Sequence, residues 1–229
     1  MSKIRLHGSS SGYMEITPPA AASSTNVTLP NSAGTLLLDD GSAASLTQIP
    51  AANIVGVATG GFGNGILQVV QNTKTDTASA SAGLAVVMNF DSTFSQAITP
   101  TFSSSKIEVS FNLSVALSSN EDLLMFRLRR KIGSGSFADV TDAVGDTAAS
   151  RFRCMHAVDS GVNTYKMPTI NLNFLDSPNT TDAVTYSFSV AHDSGSTRTF
   201  YLNRGENDTS SYAYVARGMS SIILREVAP

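Results

Sequence analysis

From Lys106 to Leu117 the chain alternates without a break. Ile107, Val109, Phe111, Leu113, Val115 and Leu117 are apolar, with Glu108, Ser110, Asn112, Ser114 and Ala116 between them. Successive side chains of a strand point to opposite faces, so this stretch predicts a half-buried strand with one face inward. The same period returns at Leu124, Phe126, Leu128, at Ile170, Leu172, Phe174, at Tyr186, Phe188, Val190, and at Ile222, Leu224. Ile66–Lys74 and residues 84–90 add two more predicted strands. Turn formers separate these pieces, as at Gly133-Ser134-Gly135, Asp176-Ser177-Pro178-Asn179 and Asp193-Ser194-Gly195. No amphipathic helix of ten or more residues is legible after position 60. Eight to ten strands over about 160 residues without helices predict an all-β fold, a β-sandwich of the jelly-roll kind.

The first 60 residues read differently. Between Arg5 and Lys74 there is no Lys or Arg, and the acids are Glu15, Asp39 and Asp40 alone. Short alternating pieces at 13–17, 26–29 and 35–38 read as strands, interrupted by Pro18-Pro19, Pro30, Gly34 and Pro50. A lone segment of this kind buries too little apolar surface to offset ordering entropy of roughly 1–2 kcal/mol per residue. It is expected to order only by burying those residues against sister chains or a larger assembly. Gly60-Gly61-Phe62-Gly63-Asn64-Gly65 reads as a hinge. The expected organisation is an extended stalk or docking segment over 1–60, a Gly-rich hinge over 61–65 and a β-sandwich knob over 66–229.

Composition narrows the class. The 229 residues include 33 Ser and 22 Thr, 14% are charged, 41% are hydrophobic and the net charge is −3. Disordered chains combine low hydrophobicity with high net charge, so disorder does not account for the sequence. No apolar run approaches the 18 residues of a membrane-spanning helix, and mild acidity argues against a nucleic-acid partner, which favours a basic footprint. The Ser and Thr are expected on the outward faces of strands. Cys154 is the single cysteine, so the fold does not depend on an internal disulfide. Residues 1–7 have a positive start but no apolar core of a signal peptide, and production in a cytoplasm is expected. The sequons at Asn26, Asn112, Asn179 and Asn207 then lack a secretory context.

Candidate chemistry is sparse. Ile132-Gly133-Ser134-Gly135-Ser136-Phe137-Ala138-Asp139-Val140 looks like the glycine-rich loop of a protein kinase, but Ala138 replaces the third glycine and no downstream kinase element follows. A hairpin turn is the expected reading. Cys154 and His156, near Arg151, Arg153 and Asp159, share a strand face at i and i+2, without any oxyanion-hole motif. Asp139, Asp142 and Asp146 lack the spacing of a calcium loop, and nothing marks the paired carboxylates of a glycosidase. No catalytic residue, metal or cofactor is expected. Arg127, Arg129, Arg130 and Lys131 form the one basic cluster, either a contact surface for an acidic partner or glycan or, as favoured, a solvated strand face.

Gly8-Ser9-Ser10-Ser11-Gly12-Tyr13-Met14-Glu15-Ile16, Thr25-Asn26-Val27-Thr28-Leu29-Pro30 and Gly34-Thr35-Leu36-Leu37 resemble the N-terminal fibre-type segment of tailed-phage structural proteins, notably of marine and cyanobacterial phages. Leu46-Thr47-Gln48-Ile49-Pro50-Ala51-Ala52-Asn53-Ile54-Val55-Gly56 resembles a linker of the same proteins. The likeness extends over roughly residues 8–75 and is weaker over Tyr201-Leu202-Asn203-Arg204 and the chain's last strand. It implies a homotrimer with an intertwined stalk and a jelly-roll head, on the surface of a virion. Docking and trimerisation would then fall to Ile4, Leu6, Tyr13, Ile16, Val27, Leu29, Leu36, Leu37, Leu38, Leu46, Ile49 and Ile54. The fibre-type pattern starts within the first eight residues, without a tail-anchoring domain before it. This favours a capsid-decorating cement or head-spike protein held by the major capsid protein. The alternative is a short tail fibre held by a tail protein and recognising a host surface glycan or protein.

Overall fold

The computed structural model describes residues 4–16, 65–118, 122–159, 164–213 and 215–229. The chain divides into two units, 1–57 and 58–229. The strands expected at 26–29 and 35–38, and hinge residues 61–64, lie outside the described residues, as do Val27, Leu29, Leu36, Leu37, Leu38, Leu46, Ile49 and Ile54.

In the first unit, β1 (Ile4–His7) and β2 (Tyr13–Ile16) pair antiparallel, with Ile4 opposite Ile16 and His7 opposite Tyr13. The sequence predicts the second strand but not the first, which is only four residues long. Gly8 and Gly12 set the turn. Gly12 has φ +75°, and a Cβ on Gly8 would lie 2.6 Å from the Ser11 carbonyl oxygen.

The second unit is a two-sheet antiparallel sandwich, β3 to β14 in chain order. Its strands are β3 (Ile66–Lys74), β4 (Ala78–Ala82), β5 (Met88–Asn89), β6 (Gln96–Ile98), β7 (Lys106–Leu117) and β8 (Leu123–Ile132). After these come β9 (Ala138–Asp139), β10 (His156–Asp159), β11 (Thr169–Asp176), β12 (Val184–His192), β13 (Arg198–Leu202) and β14 (Ser220–Val227). Four strand positions are split in two. β13 and β14 lie end to end along one edge of β7, and β4 and β3 continue beyond them. β9 and β10 share one edge of β8, while β5 and β6 share the far edge of β12. Counting each split strand once gives eight positions, ordered 1-8-3-6 in one sheet and 5-4-7-2 in the other. That order is a jelly roll.

The core follows the alternation. Ile107, Leu113 and Val115 of β7 are wholly buried, as are Leu124 and Phe126 of β8 and Ile222 and Leu224 of β14. Phe188 is the hub, stacked on Phe90 at 4.9 Å between ring centroids, with Phe111 at 5.8 Å and Phe126 at 6.1 Å. Pairs at these offsets contribute roughly 0.5–1.5 kcal/mol each beyond the area they bury.

Three features depart from the sequence reading. Residues 84–90 do not form one strand: Ala85 has φ 53°, Val86 N–H donates to Gly83 C=O, and only Met88–Asn89 pair. Leu84 and Val86 consequently lie exposed. β4 is missed because Ala-Ser alternation carries little hydrophobic contrast. Finally, several serines are buried rather than outward. Ser187 donates to the Phe94 carbonyl at 3.0 Å, and Ser220 is wholly buried. Small hydroxyls fit where a larger polar side chain would strand its polar atoms.

Candidate functional site

The strand period divides the basic cluster between the two faces of β8. Arg130 follows Leu124, Phe126 and Leu128 on the inward parity of β8, whereas Arg127, Arg129 and Lys131 take the outward one. Arg130 donates twice to the Asp176 carboxylate, at 2.8 and 2.6 Å, and the Tyr186 hydroxyl donates to the same carboxylate at 2.6 Å. Asp176 belongs to β11 in one sheet, and Arg130 and Tyr186 to neighbouring strands in the other. The three groups therefore stitch the sandwich across its layers. Burial and then the Asp176 charge push the Tyr186 phenol far above its ordinary range, so it serves as a donor only.

On the outer face, Asp139 bridges Arg127 at 2.9 Å and Arg129 at 3.0 Å, and Arg129 also grips Asp91 at 2.9 Å. Lys131 lies 5.3 Å from the centre of the Phe137 ring. The three arginines are thus tied to carboxylates of the same chain and half-buried, rather than free in solvent. Asp139, read in sequence as a loop acid, is part of this network.

Arg127 has a further task. Between β9 and β10 the chain leaves β8 and returns to it almost at once: Val140 N–H donates to Leu128 C=O, and Met155 N–H to Phe126 C=O. The excursion between them is held by Arg127, whose Nε donates to the Arg153 carbonyl at 2.6 Å and whose guanidinium covers the Phe152 ring at 3.9 Å. Arg153 Nε in turn donates to Gly145 C=O at 2.7 Å, and Gly145 N–H to Cys154 C=O at 3.1 Å.

Held this way, the excursion forms one wall of a cleft of about 440 Å³. Asp142, Ala143, Val144 and Gly145 line that wall, with Met155 and His156 at the start of β10. The other wall is the edge strand β11, through Asn171, Leu172, Asn173 and Phe174. Sequence reasoning placed Asp142 and His156 in separate motifs and did not notice the two asparagines. The only signal for them is their position on the polar parity of β11, alternating with Ile170, Leu172 and Phe174.

Among the described residues, no hydrogen bond joins Cys154 to His156. The thiol is half-buried, and burial pushes its pKa up against the smaller opposing pull of Arg127. Asp142 and Asp146 stay in the excursion while Asp139 is engaged by arginines. Among the described residues, no group of three or more His, Cys, Asp or Glu is placed to hold a metal ion, and no helix is long and apolar enough to cross a membrane. The kinase-like run is the β8–β9 turn, with Gly133 at φ +53° and Gly135 N–H donating to Ile132 C=O.

In the first unit, Ile4, Leu6 and Tyr13 are 61%, 51% and 56% exposed. Arg5 pairs with Glu15 at 2.7 Å and lies 4.6 Å from the Tyr13 ring centre. Ile16 ends β2, opposite Ile4.

No family model and no curated protein matches the chain. Among solved structures, it is similar to infectious bursal virus derived T=1 particles, at 14% identity and a TM-score of 0.38 over 70% of this chain and 37% of that one. It is also similar to infectious bursal disease virus of the Gt strain, at 13% identity and a TM-score of 0.36 over 71% of this chain and 40% of that one. The T13 IBDV viral particle gives 10% identity and 0.35 over 70% and 37%. The chain spans well under half the length of these proteins, and likenesses this slight say nothing about what it does.

Proposed function

We propose that the chain is a non-enzymatic structural protein of a tailed-phage virion. In this reading it is a homotrimer that decorates the capsid, docking through residues 1–60 on the major capsid protein and presenting the jelly-roll knob to solvent. The observation that carries the reading is the β1–β2 hairpin. A two-stranded hairpin is marginal in water by itself, yet this one holds Ile4, Leu6 and Tyr13 more than half exposed. Such a surface is stabilised by a partner, and it opens the same segment whose motifs resemble phage fibre proteins. The knob supports a structural role in another way, since the arginines that stood out in the sequence are spent on cross-links within the fold.

Two measurements test the reading. Gel densitometry of purified particles should give hundreds of copies per virion; a few dozen at most would sink capsid decoration. Sedimentation of the full chain should give a trimer, and a folded 24.0 kDa monomer would refute that part. The second reading is a short tail fibre that contacts a host surface. The open polar cleft between the β9–β10 excursion and β11 favours it, and a low copy number confined to tails would select it.

A further inference from the structure

We infer that the cleft between the β9–β10 excursion and β11 is a binding site for a neutral saccharide. Four polar side chains line it: Asp142, His156, Asn171 and Asn173. None of these side chains makes a hydrogen bond or ion pair with another described residue, whereas Asp91, Asp139, Asp176, Asn203 and Glu226 all do. The unspent groups are of the kind that reads a polyol. A carboxylate accepts from two neighbouring hydroxyls, each carboxamide both donates and accepts, and an imidazole can do either according to its tautomer. Phe174, Met155 and Val144 add apolar surface beside them, where the C–H face of a pyranose ring can rest. The volume, about 440 Å³, falls within the range of small-molecule sites.

Charge narrows the ligand class. Among the described residues of the lining, Asp142 is the one formally charged side chain, and no Lys or Arg joins it. A sialylated, uronic or phosphorylated sugar would meet a carboxylate without a compensating cation, while a neutral or N-acetylated hexose meets no such repulsion. The walls are also built rather than incidental. Arg127 and Arg153 fix the excursion, and β11 is paired to β7 along its whole length on its other edge. Sites are most accurate when rigid elements carry their polar groups. The inference is independent of where on a particle the chain sits.

The test uses the full chain. Methyl glycosides of glucose, galactose, mannose and N-acetylglucosamine are titrated by calorimetry and saturation-transfer NMR, with sialic acid and glucuronic acid in parallel. At least one neutral glycoside should bind and the two acids should not. Asp142→Ala and Asn173→Ala should each weaken binding by about tenfold or more, as expected for losing a charged or a paired amide contact. Both residues are exposed, and circular dichroism checks that the variants fold. Asp182→Ala, on an exposed loop away from the cleft, should bind as the parent does. Binding of the acids alone, binding indifferent to both cleft variants, or no response to any glycoside up to millimolar concentration would each overturn the proposal. So would capture of an extended peptide along β11 without any saccharide response, which would make the edge strand, rather than the side chains, the functional element.

Discussion

Two buried polar residues, Asn203 and Glu226, tie together segments remote in sequence. Asn203 lies where β13 ends and β14 is still seventeen residues away in sequence, and it is wholly buried with φ 65°. Its N–H donates to Ser114 C=O, and its Nδ2 donates to the carbonyls of Lys74 and Asp76 at 2.8 and 2.9 Å. Its Oδ1 accepts from Ser220 Oγ at 2.6 Å, which brings the chain back onto β7. One side chain therefore closes the break between β3 and β4 and the break between β13 and β14. Asparagine suits the post because it tolerates the left-handed region better than other non-glycine residues. Asn203→Ala keeps the strained backbone and leaves two part-buried carbonyls and the buried Ser220 hydroxyl without their partner, so urea unfolding of the full chain should show a loss of about 2–4 kcal/mol. Glu226 is the second such residue, on the inward parity of β14. It accepts from Gln68 Nε2, from Thr101 N–H and from Thr101 Oγ1, at 2.6, 2.6 and 3.0 Å. Burial pushes its carboxyl up, but the hydrogen bonds to the ionised form outweigh this and hold its pKa below the usual glutamate range. A carboxyl with a depressed folded pKa adds stability above its unfolded pKa and loses it as pH falls through the folded one. Stability should therefore decline from about pH 4.5 downward. Glu226→Gln should be less stable at neutral pH and show a shallower acid decline, measured by urea midpoints against pH. An equally steep decline in the variant would place the acid sensitivity elsewhere. Neither residue stands out in the sequence, because their hydrogen-bond partners are remote along the chain.

Among the elements, legibility follows hydrophobic contrast. The Val, Ile, Leu and Phe of β7 alternate with polar residues over twelve positions, and the strand spans the residues its pattern marks. β8, β11, β12 and β14 were equally clear in their central residues. The hairpin after β8 was also legible, since glycines at 133 and 135 permit only a tight turn between two such strands. The weakly marked elements fall into two groups. β4 is five residues of Ala and Ser, and β5, β6 and β9 are two or three residues long, too short for a period to show. The opposite error occurs at 84–90, where a continuous apolar run suggests a strand but Ala85 turns left-handed and donates its N–H to His192 C=O. Apolar character at Leu84 and Val86 reports exposed turn residues, and only Met88 and Phe90 at the end of the run reach the core. The element makes its own prediction. Left-handed backbone costs a residue with a Cβ roughly 1–2 kcal/mol, a cost glycine lacks, while glycine gains entropy in the unfolded chain. Ala85→Gly should thus raise stability by several tenths of a kcal/mol up to about 1 kcal/mol in thermal or urea unfolding. A strand at this position would instead be weakened by glycine, so the sign of the change separates the two structures. The cleft was not legible for a related reason: β11 and the β9–β10 excursion are distant in sequence, and no local pattern announces that Asp142 and Asn173 line opposite walls of one cleft.

At the scale of the whole chain, the two units differ in what they can support alone. The sandwich contains its complete hydrophobic core between Met88 and Leu224, with the cross-sheet stitch of Arg130, Asp176 and Tyr186 inside the same span. Its first strand is anchored at the outset, because Ala228 N–H donates to Gly65 C=O and ties the beginning of β3 to the end of β14. A fragment of residues 61–229 should accordingly unfold in one cooperative transition, with a midpoint close to that of the sandwich in the full chain. Among the described residues of the segment 1–60, the apolar side chains Ile4, Leu6 and Tyr13 are open and form no comparable core. As a separate peptide that segment should lack a cooperative transition, because so few strands cannot offset the entropy of ordering. The association state then locates the assembly surface. If the N-terminal segment joins the copies, sedimentation should give a trimer for the full chain and a monomer for residues 61–229. A trimeric 61–229 fragment would transfer the interface to the sandwich, and its outer sheet with Val69, Leu175, Ile223 and Val227 would become the place to introduce charge. A monomeric fragment beside a trimeric full chain would instead direct substitution to Ile4, Leu6 and Tyr13. Replacing all three with Ser should lower the fraction of trimer at a given concentration while leaving the thermal midpoint of the sandwich unchanged.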